Sequence, residues 1–123
     1  MQQCTAEDIL DLNKNKIQLV MQLCAHCGMC AESCFMYVSH QHDPKFTPAY
    51  KMINAFKVLN STKKPASWNA LHTVQEMLWH RCVLCMRCYC PLGIDIPDMI
   101  ALGRRICRTK GIFRDYSEDA MRA

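Results

Sequence analysis

The segment Cys24-Ala-His-Cys27-Gly-Met-Cys30-Ala-Glu-Ser-Cys34 sets four thiols at the spacing C-x2-C-x2-C-x3-C. A second group, Cys82-Val-Leu-Cys85-Met-Arg-Cys88-Tyr-Cys90-Pro91, repeats the triplet further along the chain. Thiolates are soft ligands suited to zinc, copper(I) or iron–sulfur sites. A C-x2-C-x2-C loop folds over one corner of a cubane cluster, and the cysteine that follows reaches the other cluster in two-cluster ferredoxins. That logic assigns Cys24, Cys27, Cys30 and Cys90 to cluster one, and Cys82, Cys85, Cys88 and Cys34 to cluster two. Zinc needs only four ligands per site, in pairs, and leaves the third cysteine of each triplet without a role. No C-x-x-C is followed directly by His, which excludes c-type haem attachment. The cofactors expected are therefore two [4Fe-4S] clusters, with the crossed fourth ligands stapling the two halves of the chain together.

The two groups form an imperfect internal repeat, running from Cys24 to Cys82 and from Cys27 to Cys85 at one offset. They differ at the end. Only Tyr89 separates Cys88 from Cys90, where the first group has three residues between its last two cysteines. The fourth ligand of cluster one is thus Cys90 or, by an alternative path, Cys107 or Cys4. A buried cysteine on a helix also serves as a small hydrophobe, the plainer reading of Cys107. Phe35 stands after Cys34, where Pro is usual. His26 lies between two expected ligands and either bonds a cluster sulfur or is an exposed loop side chain. His40 and His42 alternate like a weak metal pair or belong to a polar loop before Pro44. Gly28 permits close backbone approach to a cluster.

The segments that must position these thiols read as helices. Thr5 and Asp8 resemble a capping box, followed by Ile9, Leu10, Ile17, Val20 and Met21 at helical spacing. Thr47 and Pro48 read as an N-cap and first helical residue, with Met52, Ile53, Phe56 and Leu59 on one apolar face. Asn60 to Ala66 reads as a loop. Ser67 can cap a further helix that turns Leu71, Val74, Leu78 and Trp68 inward. Ile94-Asp95-Ile96 is expected to be extended before Pro97. A helix then runs through Met99, Ile100, Gly103, Ile106 and Cys107 and stops at Gly111. No window alternates with the period of a strand, so the fold class expected is all-α, built around two clusters.

The whole has the composition of one small globular domain: 123 residues, 50% hydrophobic and 21% charged, with ten cysteines. The division expected is a two-cluster domain over 1–111 and a docking tail over 112–123. No stretch approaches the roughly 20 apolar residues of a membrane span. The start has neither the basic patch nor the apolar core of a secretory signal. Without a secretory context, ten cysteines point to metal rather than to disulfides. The formal charge of +4 is offset by about −2 on each oxidised cluster with its four thiolates. Lys63, Lys64, Arg104, Arg105, Arg108 and Arg114 then read as a solvated face, and no aromatic residues interleave a basic stripe as nucleic-acid binding requires.

With these residues in view, the chain resembles the α-helical ferredoxin domain of the heterodisulfide reductase family, as found in its C-type subunits and in the N-terminal part of its D-type proteins. A related subunit occurs in sulfite-reductase-associated membrane complexes. The resemblance is carried by Cys24 to Cys34, by Asp43-Pro44-Lys45-Phe46-Thr47-Pro48-Ala49-Tyr50-Lys51, and by Cys85-Met-Arg-Cys88 leading to Cys90-Pro91-Leu92-Gly93-Ile94-Asp95-Ile96-Pro97. It implies an electron relay between a flavin- or iron–sulfur-containing donor subunit and a cysteine-rich catalytic subunit. Catalytic subunits of that group carry adjacent Cys-Cys pairs, and this sequence has none. No catalytic residue is therefore assigned. The reading is a non-catalytic electron-transfer subunit of an oxidoreductase complex of anaerobic metabolism, cytoplasmic or held to the inner face of the membrane through its partners. A zinc-binding interaction module and an iron–sulfur redox sensor are the alternatives.

Overall fold

The computed structural model describes residues 6–60 and 68–112. Cys4, the Thr5 cap, the loop after Asn60, the Ser67 cap, Lys63, Lys64, Arg114 and residues 113–123 of the tail lie outside them. Among the described residues every regular element is helical, as the absence of strand periodicity predicts.

The expected first helix is two. Helix α1 (Ala6–Leu12) and helix α2 (Lys14–Leu23) meet at Asn13, whose side-chain amide donates to the Ile9 carbonyl at 2.9 Å. The polar run Asn13-Lys14-Asn15-Lys16 offers no apolar face to hold a continuous rod. Ile9, Ile17 and Val20 are nevertheless all buried, at helical spacing. Helices α3 (Met29–Glu32) and α4 (Phe35–Ser39) are single turns flanking Cys34.

Helix α5 (Pro48–Leu59) begins as expected at Thr47-Pro48, although the Thr47 hydroxyl makes no capping bond. Its buried stripe includes Met52, Ile53, Phe56 and Leu59. Helix α6 (Trp68–Gln75) continues into a π-helical turn over Glu76–His80. The wider turn changes the helical register, and Met77, Leu78 and Trp79 are all buried in succession. This corrects the sequence expectation: Trp68 is 63% exposed, edge-on to His72, whereas Trp79 is 1% exposed.

Helix α7 (Ile96–Thr109) starts one residue before Pro97, capped by the Asp95 carboxylate accepting from the Asp98 amide at 3.2 Å. It ends where expected. Gly111 has φ +78°, its amide bonds the Arg108 carbonyl, and the Ile112 amide bonds the Cys107 carbonyl at 2.9 Å. That pairing is a Schellman motif, and it brings Ile112 into the core. Helix α7 packs on α5 and α6. Gly103 faces Leu78 and Phe56, where an added Cβ would stand 3.0 Å from Leu78 Cδ1. The apolar core of α5, α6, the π-helical turn and α7 thus carries the two cysteine loops, which have no regular structure of their own beyond α3.

Candidate metal centre

Both cysteine loops bend the same way. In the first, His26 and Gly28 have φ of 55° and 76°. In the second, Leu84 and Met86 have φ of 54° and 65°. These are equivalent positions, one before and one after the middle cysteine of each triplet. Left-handed backbone at a non-glycine residue costs about 1–3 kcal/mol and persists only where its surroundings demand it. The internal repeat seen in the cysteines is therefore a repeat of backbone shape, tolerated by glycine at one of four positions and imposed at three. The shape turns amides toward sulfur: the Leu84 N–H donates to Cys82 Sγ at 3.4 Å.

The second loop forms one wall of a cavity with about 340 Å³ of free space, part of it open to solvent. Cys34, Cys82, Cys85 and Cys88 all line it, with Lys51 and apolar side chains including Phe35, Met86 and Ile100. The thiols feel one another. Burial and then the neighbouring Cys82 and Cys34 push the Cys88 thiol up to about 12. All four residues expected at cluster two thus meet, including Cys34 from the distant first group. Ser33 Oγ accepts from the Tyr89 amide at 3.3 Å and pins the two groups together beside that junction.

The first loop gathers Cys24, Cys27 and Cys30. The Cys30 thiol is raised chiefly by burial and further by Cys24 and Cys27, while the Ala49 amide bonds its sulfur and opposes the shift. Ala49 is in the first turn of α5, so a free helical N–H is directed at this thiol. Cys90 is half-buried against the same core that Cys24 borders. Cys107 is fully buried at the far end of α7; burial lifts its thiol to about 11, and Lys110, not another thiol, is the neighbour that opposes the shift.

Two cations hold the second loop, one given no role by the sequence reading and one misplaced by it. Lys51 is 1% exposed, and its Nζ donates to the Arg81 carbonyl at 2.7 Å and to Cys34 Sγ at 3.8 Å. Arg104, expected on a solvated face, instead donates to the Leu78 carbonyl at 2.8 Å and the Cys82 carbonyl at 2.7 Å, stacked 5.4 Å over Trp79. Arg105 and Arg108 are exposed as expected. Helical period cannot reveal either cation, because each sits beside apolar positions on an otherwise ordinary helix. The histidines are peripheral: His26 is exposed, His40 stacks on Phe46 at 4.0 Å and His42 meets the Tyr37 ring edge-on.

The donor set fits an iron–sulfur cluster. The cavity lining supplies four thiols, apolar cover and no carboxylate or imidazole. Among the described residues, no three His, Cys, Asp or Glu side chains stand as they would around a single metal ion. The family model of the 4Fe-4S dicluster domain matches residues 20–94, more than half of the chain. The chain is a 4Fe-4S dicluster domain protein. As a member of that family it holds two [4Fe-4S] clusters, which decides against the zinc alternative.

Among curated proteins, the Hdr-like menaquinol oxidoreductase iron-sulfur subunit 2 of Archaeoglobus fulgidus is 28% identical over 120 residues, covering 86% of this chain and 21% of that protein. The Hdr-like menaquinol oxidoreductase iron-sulfur subunit of Archaeoglobus profundus is 28% identical over 116 residues, covering 82% and 21%. The chain thus spans about a fifth of the length of these relatives. Both bear out the resemblance to heterodisulfide-reductase-like ferredoxin domains. No solved structure matches. Among the described residues no helix is long and apolar enough to cross a membrane.

Proposed function

We propose that this dicluster domain relays electrons, one at a time, within a heterodisulfide-reductase-like oxidoreductase complex and carries out no bond chemistry of its own. Its partners are a flavin- or iron–sulfur-bearing donor subunit and a cysteine-rich catalytic subunit, at the cytoplasmic face of the membrane through those subunits. Cys24, Cys27, Cys30 and Cys90 hold one cluster; Cys82, Cys85, Cys88 and Cys34 hold the other. The observation that carries this reading is Cys34 lining the cavity of the second triplet. A ligand exchanged between the two loops draws the clusters close, as hopping between them requires.

A bound [4Fe-4S] cluster supplies a site that takes up and returns one electron. The chain's residues do the rest. They fix the thiols, cover the cavity with apolar side chains and direct backbone amides at sulfur, as Leu84 and Ala49 do. Cys27 and Cys85, one in each loop, are exposed, so each cluster lies near the surface through which an electron enters or leaves. The relatives' names, iron-sulfur subunits of menaquinol oxidoreductases, support the setting. The cluster domain covers residues 1–111 and the docking tail 112–123, the first residue of the tail, Ile112, being anchored in the core by the Schellman turn.

Reductive titration of anaerobically purified protein tests the relay. About two electrons per chain, taken up and returned over repeated cycles with no loss of iron, are expected. Release of iron on reduction identifies a sensor and contradicts the proposal.

A further inference from the structure

We infer that Lys51 sets the reduction potential of the cluster held by Cys34, Cys82, Cys85 and Cys88, holding it above the value those ligands alone would give, so that this cluster takes the first electron. The inference rests on the ligand reading proposed above. A lysine is almost never fully buried without a partner, yet Lys51 is 1% exposed. Its ammonium contacts a thiol of the site, Cys34 Sγ at 3.8 Å, and the carbonyl of Arg81, the residue before Cys82, at 2.7 Å. Both contacts fix the charge against the cavity wall, and Lys51 lines the cavity itself.

Adding an electron to a cluster adds negative charge, which a fixed cation stabilises; net charge and hydrogen bonds to sulfur are two of the levers that set cluster potentials. Burial keeps water and salt from screening that charge. The other charged groups around this wall act less directly. Arg104 is directed at carbonyl oxygens and covered by Trp79, and Arg81 pairs with Glu76 at 3.0 Å. At the first triplet, the contact with the Cys30 sulfur is a helix N-terminal amide, that of Ala49, which brings a partial charge rather than a whole one.

The test is a potentiometric titration followed by EPR on the wild-type protein and the variants Lys51→Met and Lys51→Arg, with iron and sulfide measured on each. With both clusters intact, Lys51→Met lowers one of the two midpoints by a tenfold or larger change in its one-electron equilibrium, about 59 mV or more. The other midpoint stays in place, and Lys51→Arg restores most of the shift. A lysine that merely ties Cys34 to the second loop leaves both midpoints where they are, and that result overturns the inference, as does an equal shift of both. If Lys51→Met loses iron, the filling order decides. The higher-potential signal of the wild-type protein must be the one that Cys34→Ser abolishes; loss of the lower-potential signal instead overturns the inference. A wild-type chain with only one cluster contradicts the ligand reading, whereas two clusters indifferent to Lys51 contradict the inference alone.

Discussion

The fourth ligand of cluster one is read as Cys90, with Cys107 and Cys4 as alternatives; Cys4 lies outside the described residues, and the surroundings of Cys107 speak against it. Cys107 is enclosed by the core, and burial lifts its thiol to about 11. The charged neighbour acting on it is Lys110 and no other thiol, whereas Cys82, Cys34 and Cys85 all act on Cys88. Cys107→Ala is therefore expected to keep about eight irons per chain at a cost of about 1–2 kcal/mol of stability, the scale of one small buried side chain. Iron analysis with thermal melts checks both, and loss of about four irons makes Cys107 a ligand. The linkage has a definite sign. The folded thiol holds its proton more tightly than the unfolded one, so its contribution is complete below about 9 and is lost as pH rises through about 11. Alkaline unfolding of the wild-type protein and Cys107→Ala should show a constant stability gap below about 9 that narrows as pH rises through about 11. The assignment of Lys51 carries a separate lesson. It lies in the segment that bears the family resemblance, but a lysine beside Met52 and Ile53 gives no periodic signal of burial. Only the packing of α5 against the second loop reveals it.

At the scale of elements, what was legible followed from local rules, and what was not depended on distant partners. Pro97 and Gly111 mark the ends of the last helix because such signals are written within a few residues of a helix end. Ile96, expected to be extended, is instead its first residue, because the Asp95 carboxylate caps the helix there. The stripe on α5 was legible because four of its large apolar residues recur at helical spacing. The π-helical turn was not, since the burial of Trp79 depends on α7 offering Arg104 and Arg108 to its ring. The left-handed residues Leu84 and Met86 were equally hidden: nothing about a leucine announces positive φ, and only comparison with His26 and Gly28 reveals the repeat. The close approach of α7 to Leu78 and Phe56 at Gly103 yields a prediction for this level. Gly103→Val should overpack that contact and cost about 1–3 kcal/mol, read as a lower denaturation midpoint with the iron content of the folded fraction unchanged. A fully stable valine variant would mean that the helices are not so tightly apposed.

For the molecule as a whole, the clusters do structural work. A domain of this length has a modest core, and the cysteine loops are held by thiols, by the carbonyl contacts of Lys51 and Arg104, and by the Ser33–Tyr89 bond. The Lys16–Asp98 pair between α2 and α7 is about half exposed on both sides and adds about 0–1 kcal/mol. Anaerobic removal of iron by a chelator should therefore melt the two loops together, seen as loss of amide protection over residues 24–34 and 82–90, while the core around Phe56 and Ile106 exchanges later. Independent melting of the loops would show that they share no ligand.

That sharing is the centre of the account, and Cys34→Ser tests it most directly. The wild-type chain should contain about eight irons and eight sulfides, with spin coupling between two reduced clusters in its EPR spectrum. Cys34→Ser should retain about half of each and show one uncoupled cluster, and Cys85→Ser should give the same loss from the other side of the cavity. Eight irons and an unaltered coupled spectrum in Cys34→Ser would contradict the crossed arrangement.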